Sequence, residues 1–193
     1  ASDVYKRQII MAVLARGHVL LEDVPGVGKT TTALALCRLM GMDFNRIQFT
    51  PDVVPSDVTG FTMYEKQTGR FIYRPGAVMC NMLLADEINR TSSKTQAALL
   101  EVMEEGKVTV DNETHPVPQP FVVIATENPT GSSGTQMLPE SQLDRFMISL
   151  SMGYPDHENL VELLRDRQTK NPLENAKAVI TKEEVVMLQD LSL

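Results

Sequence analysis

Five short apolar segments divide the chain, and stretches with helical periodicity separate most of them. The segments are residues 18–24, 44–50, 81–87, 121–128 and a stretch from about residue 146. Each has the length of a strand. Residues 18–24, 81–87 and 121–128 are apolar enough to be buried on both faces, whereas apolar and polar residues alternate in residues 44–50. Buried strands that alternate with helices are typical of a parallel sheet covered on both sides. We therefore predict an α/β fold built on a five-stranded parallel sheet.

Two segments between these strands predict β-hairpins. Residues 60–76 would turn near residues 67–69, and residues 107–117 would form a second hairpin. In the first hairpin we expect one apolar face, which either packs on the domain or contacts another protein. That face would consist of Phe61, Met63, Phe71 and Tyr73.

Two helices carry N-terminal capping patterns. Ser93 and Gln96 have the spacing of a capping box at the start of a helix that Gly106 would end. Thr181 and Glu184 repeat this spacing near the end of the chain. The capping patterns therefore predict where both helices begin.

Composition and charge narrow the classes of partner. The chain is 42% hydrophobic and 22% charged, as in ordinary globular proteins, with a net charge of −7. This charge disfavours non-specific binding to nucleic acid, and no apolar run approaches the roughly 20 residues that span a bilayer. We expect a cytoplasmic protein with no nucleic-acid partner and no direct membrane insertion.

Cys37 and Cys80 fit buried thiols better than a disulfide, and the scattered histidines lack metal-ligand spacing.

Both ends of the chain look like the product of a transposase adaptor used in sequencing libraries. One reading frame of such an adaptor encodes "DVYKRQ", and its reverse complement begins with codons for the terminal "LSL". We therefore set residues 1–8 and 191–193 apart as adaptor-derived, the alternative being a natural helix start. Between them residues 9–153 would form the α/β core, and residues 154–190 carry helical patterns, the first near Asp156.

The stretch "LEDVPGVGKT" is similar to a phosphate-binding loop between a strand and a helix. Gly28, Lys29 and Thr30 fit the end of the pattern G-x-x-x-x-G-K-[ST], while Asp23 replaces its first glycine. Lys29 would contact the β- and γ-phosphates of a nucleotide, and the Thr30 hydroxyl would reach Mg²⁺. The alternative is a glycine-rich turn followed by an ordinary surface lysine.

Asp86 and Glu87 end the apolar strand "MLLADE". One carboxylate can hold Mg²⁺, usually through water, and the other can orient and polarise an attacking water. Alone, this pair also fits acids that cap the following helix. A phosphate loop earlier in the same chain favours the Mg²⁺–nucleotide interpretation.

Two further polar residues are candidates for the same chemistry. Asn128 ends the next strand, where its amide can hydrogen-bond the attacking water or the γ-phosphate, although Asn-Pro is also a turn signal. Arg145 can stabilise charge on a γ-phosphate in the transition state. The alternative for Arg145 is a surface salt bridge with Asp144 or another acid.

These residues, in this order, resemble those of AAA+ ATPases and specifically the MoxR family. Six blocks carry the resemblance: "GHVLLEDVPGVGKT", "IQFTPDVVPSDVTG", "LLADEINR", "ALLEVMEEGKVTV", "IATENP" and "LPESQLDRFM". They cover nearly everything between the two ends. Members of this family often have an acidic residue at the position of Asp23. We expect the family's adenine-contacting N-terminal stretch and its sensor 2 arginine to lie outside this sequence.

The resemblance implies a P-loop AAA+ fold that binds ATP with Mg²⁺. Residues 9–153 would be its nucleotide-binding α/β core, and residues 154–190 a partial helical lid. Thr30 and Asp86 would hold the metal, Glu87 would activate water, Asn128 would be sensor 1, and Arg145 would be an arginine finger reaching the neighbouring subunit's site. The residues holding the phosphates would be Pro25, Gly26, Val27, Gly28, Lys29, Thr30 and Thr31. Both hairpins would face the pore of a ring or a client protein.

The function implied by this resemblance is ATP hydrolysis by a homo-oligomeric ring, a hexamer, that remodels or matures a protein client. Such proteins often work with a partner that has a von Willebrand factor A domain. One alternative is a nucleotide-gated binding module with little or no hydrolysis; Glu87 argues against it, because a non-hydrolysing site needs no second carboxylate. Another is a GTPase or small-molecule kinase, but the guanine-reading N-K-x-D motif is absent from the sequence.

Overall fold

The computed structural model describes residues 2–22, 29–128, 137–151 and 177–192. The strands in chain order are β1 (Val19–Glu22), β2 (Phe44–Gln48), β3 (Gly60–Glu65), β4 (Arg70–Pro75), β5 (Met82–Asp86), β6 (Lys107–Val110), β7 (Glu113–Pro116), β8 (Val122–Glu127) and β9 (Ile148–Ser151). The helices are α1 (Ser2–Leu14), α2 (Lys29–Leu39), α3 (Pro55–Thr59), α4 (Ser93–Glu105), α5 (Glu140–Leu143) and α6 (Lys182–Leu191), and a 3₁₀ turn spans Ile88–Arg90.

A five-stranded sheet with the order β2-β5-β8-β1-β9 forms the centre of the molecule. Every neighbouring pair in it runs parallel. The prediction of a five-stranded parallel α/β sheet is therefore confirmed. The helix expected near Asp156 lies outside the described residues.

The sheet is buried on both faces, because apolar side chains alternate between two cores. Leu20, Leu83 and Val123 point towards a core that includes α4. Val19 and Leu84 point the other way, towards a core that includes α1 and α2. Burial on both faces explains why the inner strands β1, β5 and β8 are continuous apolar runs, whereas the edge strand β2 is only partly buried.

The first hairpin pairs β3 with β4, and its apolar side chains lie on both faces. In the observed register Phe61 is opposite Arg74 and Met63 is opposite Ile72, so these share one face. The expectation that Phe61, Met63, Phe71 and Tyr73 form a single apolar face is therefore wrong. The faces depend on which residues pair across the turn, and a one-residue change of register reverses them.

Tyr73 connects the first hairpin to the second hairpin, β6–β7. Its ring stacks on that of His115 with 3.9 Å between centroids, and its hydroxyl donates to the Thr59 carbonyl. Tyr73 is half-buried against the core, whereas Phe61, Met63 and Phe71 are exposed. One of the four predicted side chains thus packs on the domain, and three remain on the surface.

The helix caps agree with the sequence at one helix and differ at the other. Thr181 and Glu184 form the predicted capping box at the start of α6. Helix α4 ends at Gly106, as predicted, but its N-cap is Ser92, whose hydroxyl accepts from the Thr95 amide. The prediction of Ser93 as the cap is wrong. Its spacing to Gln96 fits a capping box, but Gln96 donates its side-chain amide to the Ile88 carbonyl instead, and Ser92 has the extended backbone of a cap.

The buried polar residues of the core have structural partners. His18 accepts at Nδ1 from the Val123 amide, and its Nε2 lies 3.1 Å from the Met103 carbonyl oxygen. Burial lowers the pKa of His18. Cys37 and Cys80 are buried free thiols, and burial raises the pKa of each to about 12. These thiols are neutral at physiological pH, as buried structural cysteines are.

Helix α1 packs against α6, where buried Gln189 donates from Nε2 to the Val13 carbonyl at 2.7 Å. Residues 2–8, which the sequence suggests are adaptor-derived, form the first half of α1. That hypothesis stays a prediction, because any sequence of sufficient helix propensity extends an existing helix. Among the described residues, no helix has the length and apolarity needed to cross a bilayer.

Candidate functional site

Three strands end side by side at the carboxyl edge of the central sheet. In the register, Glu22 at the end of β1 lies beside Glu127 of β8, and Ala85 of β5 lies beside Ala125 of β8. Asp86 therefore reaches the same edge as the end of β1. Ligands of open parallel sheets bind at this edge.

Helix α2 begins at Lys29, after the segment that follows β1. Lys29 and Thr30 are half-buried in its first turn, and Thr31 is exposed. The first turn of a helix has free amide groups and the positive end of the helix dipole, both of which attract phosphate. The expected loop contacts at Pro25, Gly26, Val27 and Gly28 lie outside the described residues, as does Asp23.

Side chains on the two strands that flank β5 contact the Asp86 carboxylate and fix its orientation. Its Oδ1 accepts a 2.7 Å hydrogen bond from the Thr126 hydroxyl of β8. Its Oδ2 forms a 2.6 Å ion pair with Nη2 of Arg46 on β2, which also donates to Gln48. The Asp86 side chain is 17% exposed, so it faces the edge of the sheet while its orientation is set from both sides.

Glu87 follows Asp86 in a left-handed backbone conformation, with φ 55° and ψ 51°. Its amide donates to the Thr126 hydroxyl at 2.8 Å. Its carboxylate accepts from Arg90 at 2.8 Å, one turn further along the chain. Left-handed conformations of residues other than glycine are uncommon and cluster at functional sites.

Asn128 follows β8 at the same edge, and Asn89 holds its backbone. The Asn89 amide donates to the Asn128 carbonyl at 3.1 Å, and the Asn128 amide donates to Asn89 Oδ1 at 3.4 Å. Asn89 is fully buried. The segment after β5 and the segment after β8 are therefore linked directly, which brings Asn128 close to the two carboxylates.

Glu127 is a buried carboxylate beside this cluster. It accepts a hydrogen bond from the Leu138 amide at 3.4 Å. Burial raises the pKa of Glu127, and the neighbouring charge of Glu22 adds to the increase. Glu22 itself accepts from the Ser149 hydroxyl of β9 at 2.8 Å.

Arg145 lies away from this cluster, at the amino edge of the sheet. It precedes β9, and nearby Met147 donates its amide to the carbonyl of His18, just before β1. Its guanidinium forms a 2.7 Å ion pair with Glu104 of α4. Together with Asp144, these residues line a cleft of about 520 Å³. Arg145 is thus not brought together with Lys29, Asp86 or Glu87 in one subunit.

The donor groups at the carboxyl edge fit a magnesium–nucleotide complex. Magnesium prefers oxygen ligands, and Asp86 presents a carboxylate while Thr30 supplies a hydroxyl. Lys29 adds a cation at a helix start that attracts phosphate. When bound there, Mg²⁺ would neutralise charge on the phosphates.

The fold and these positions define a class, the P-loop ATPases that have an extra strand, here β8, between the phosphate-loop strand and the acidic strand. Residues 18–148 match the ATPase family associated with various cellular activities (AAA). The chain belongs to this family of AAA+ ATPases, among its MoxR-type members.

Relatives and a solved structure support the same assignment. The chain is 56% identical over 180 residues to the protein YeaC of Bacillus subtilis, covering 93% of the chain and 56% of that protein. It is 42% identical over 185 residues to the chaperone MoxR1 of Mycobacterium tuberculosis, covering 96% and 48%. A putative ATPase from Cytophaga hutchinsonii superimposes with a TM-score of 0.88 at 40% identity, covering 98% of this chain and 57% of the other. The chain spans about half the length of these relatives.

Three residues of the site escaped the sequence analysis: Arg46, Asn89 and Thr126. Thr126 had a signal, because it interrupts the apolar run of β8 directly before two polar residues. No pattern in the sequence points to Arg46, since its contact with Asp86 depends on β2 lying next to β5. Strand order in a parallel sheet is set by packing over the whole domain.

Proposed function

We propose that this chain is the nucleotide-hydrolysing core of a ring-forming ATPase that remodels or matures a protein client. The observation that carries the proposal is the single edge where β1, β5 and β8 end. Asp86, Glu87 and Asn128 follow one another along that edge, and α2, which begins at Lys29, comes next in the chain after β1, so we place Lys29 and Thr30 at the same edge. Their chemical types are those needed to hold a Mg²⁺-bound triphosphate and direct water at it.

In this proposal each residue has a distinct role in ATP hydrolysis. The Lys29 ammonium contacts the phosphates, and the oxygens of Thr30 and Asp86 hold the metal. The Glu87 carboxylate accepts a hydrogen bond from the attacking water and polarises it, which requires its ion pair with Arg90 to open. The Asn128 amide hydrogen-bonds the water or the γ-phosphate.

The position of Arg145 supports a role between subunits. It lies at the amino edge of the sheet, whereas the proposed nucleotide site lies at the carboxyl edge, so Arg145 serves a neighbouring subunit's site. Its partner Glu104 has a side chain that is 62% exposed. Exposed ion pairs are typically worth only about 0–1 kcal/mol, so the guanidinium is readily released to another partner. An arginine finger contributes roughly 10³- to 10⁵-fold in rate.

The first hairpin supports contact with a protein client. Phe61, Met63, Tyr64 and Phe71 are exposed on its two faces, and Tyr73 anchors it to the second hairpin. Exposed aromatic and methionine side chains are typical of protein contact surfaces. One relative, MoxR1 of Mycobacterium tuberculosis, is named a chaperone. We extend this activity, with a von Willebrand factor A domain partner, to the full-length protein as part of the proposal.

Substitution of Glu87 tests hydrolysis directly in the full-length protein. Glu87→Gln should retain ATP binding but lower kcat by roughly 10²- to 10⁴-fold, because the amide cannot accept a proton. Lys29→Ala should abolish nucleotide binding. Glu101→Gln, an exposed carboxylate on α4, is the matched control and should behave as the wild type. Binding of a fluorescent ATP analogue and phosphate release are the two measurements.

The same assay separates the two functional classes. Wild-type protein that binds ATP in an assembled ring but releases no phosphate would indicate a nucleotide-gated binding module instead. Hydrolysis by Glu87→Gln at the wild-type rate would remove Glu87 from the mechanism. Loss of activity in Glu101→Gln would mean that general damage, rather than chemistry, explains the losses.

A further inference from the structure

We propose that Thr126 is a positioning residue for hydrolysis, whose buried hydroxyl sets the geometry of both carboxylates at once. Thr126 contacts Asp86 through its side chain and Glu87 through that residue's amide. The inference rests on the proposed function, because it deepens the description of the same site. It assigns the end of β8 a role in aligning the acidic pair.

The direction of each hydrogen bond is determined by the groups involved. An ionised carboxylate only accepts, so the Thr126 hydroxyl must donate its single proton to Asp86 Oδ1. A backbone amide only donates, so the Glu87 N–H must point at a lone pair of the same oxygen. One hydroxyl therefore satisfies an acceptor and a donor in a fixed arrangement. Of the other side chains, only serine places a hydroxyl at the same distance from the backbone.

Burial makes these contacts strong. Thr126 has no exposed surface, so water does not compete for its hydroxyl. A hydrogen bond to a charged acceptor is shorter and roughly twice as strong as a neutral one, and the 2.7 Å distance to Asp86 agrees with this. Arg46, on the other Asp86 oxygen, has a side chain that is 45% exposed. Of the two contacts to Asp86, the Thr126 hydroxyl is therefore the better shielded from solvent.

The second consequence concerns the backbone of Glu87. This residue has a left-handed conformation that is unfavourable for residues with a Cβ. The hydrogen bond from its amide to the Thr126 hydroxyl holds the peptide plane between Asp86 and Glu87. Because this peptide plane leads directly to the Cα of Glu87, the Thr126 hydroxyl helps to set the position from which the Glu87 side chain leaves the strand.

The test compares Thr126→Val, which keeps the shape and removes the hydroxyl, with Thr126→Ser, which keeps the hydroxyl. Thr95→Val is the matched control, because Thr95 is also fully buried and its hydroxyl bonds the Val53 carbonyl, away from both carboxylates. Each variant is made in the full-length protein. The measurements are kcat and KM for ATP, the Mg²⁺ concentration for half-maximal rate, and binding of a fluorescent ATP analogue without Mg²⁺.

We expect Thr126→Val to lower kcat or raise the Mg²⁺ requirement by about 10- to 100-fold, the range seen when a group that orients a metal ligand is removed. Binding without Mg²⁺ should stay within about threefold of wild type, since the phosphate-loop contacts are untouched. Thr126→Ser should retain most activity, and Thr95→Val should change neither kcat nor the Mg²⁺ requirement.

Several results would overturn the proposal. Thr126→Val with wild-type kcat and Mg²⁺ requirement would remove the positioning role, and so would an equal loss in Thr126→Ser. If Thr126→Val does not fold, Thr126→Ser still tests the proposal, because the proposal requires this variant to retain most of the wild-type kcat and its Mg²⁺ requirement. A wild-type protein without hydrolysis would instead contradict the proposed function, which separates the two failures.

Discussion

Contacts with single polar side chains orient the acidic residues at the carboxyl edge. Asp86 and Glu87 are recognisable from sequence, but their orientation depends on Thr126, Arg46 and Arg90. Burial sets the ionisation of groups that have no opposite charge nearby. The orientation and the ionisation of each side chain therefore depend more on its neighbours in space than on its residue type.

Glu127 provides a pH-dependent test at this scale. Burial raises its pKa in the folded protein, so the folded state binds this proton more tightly than the unfolded state. This tighter proton binding stabilises the folded protein fully at pH values below the pKa of Glu127 in the unfolded chain, near 4.3. The stabilisation is lost as the pH rises through the pKa of Glu127 in the folded protein. Glu127→Gln should therefore be more stable than wild type at pH 7, with a difference that shrinks towards pH 4 in denaturant unfolding.

The control for this experiment is Glu113→Gln, a carboxylate exposed on β7. Surface substitutions usually change stability by less than about 0.5 kcal/mol. If Glu127→Gln lost stability at pH 7, or gained it only at low pH, burial would not be the dominant influence on this carboxylate.

At the scale of elements, local sequence patterns and the pairing of strands determine different features of the helices and hairpins. The turn of the first hairpin and the capping box of α6 follow from a few adjacent residues, and both are confirmed. The faces of the first hairpin depend on pairing between residues as far apart as 60 and 75, and there the sequence-based expectation was wrong. Local signals thus determine where elements begin and turn, while pairing determines which way they face.

The adjacent serines before α4 give a matched pair of substitutions. Ser92→Ala should lower the unfolding free energy by about 1 kcal/mol, because it removes the acceptor for the Thr95 amide. Ser93→Ala should change it little, since Ser93 is exposed in the first turn and its new side chain favours helix. Urea unfolding of both variants is the measurement. A larger loss for Ser93→Ala than for Ser92→Ala would contradict the assigned cap.

At the scale of the whole molecule, the sheet separates two sets of charged groups. The proposed nucleotide residues lie at its carboxyl edge, and Arg145 with Glu104 lies near its amino edge. A single parallel sheet cannot bring both edges to one ligand. In the proposed ring, the carboxyl edge of one subunit would meet the amino edge of the next through repeated head-to-tail contacts.

Mixed assemblies test this arrangement. Lys29→Ala subunits should be inactive but able to supply Arg145, and Arg145→Ala subunits should be able to bind ATP. Mixed in equal amounts, they should recover activity at roughly one interface in four, because that fraction pairs an intact nucleotide site with an intact finger. ATP hydrolysis by the mixture, compared with each variant alone, is the measurement.

A double variant, Lys29→Ala/Arg145→Ala, is the control for mixing. Combined with Lys29→Ala, it produces no interface with an intact nucleotide site, so no activity should return. Absence of recovery in the first mixture, with both variants assembled, would place Arg145 outside the neighbouring site.

The sequence by itself determined the fold class, the family and the identity of Lys29, Asp86, Glu87 and Asn128 as candidate residues. It could do so because strand burial and phosphate-loop chemistry require particular residue types at short spacings. The contacts of Thr126, Asn89 and Arg46 were decided only by the tertiary structure. Each of these side chains reaches a partner about 40 residues away, on a neighbouring strand or just after its end. Which strands become neighbours is settled by packing the whole sheet.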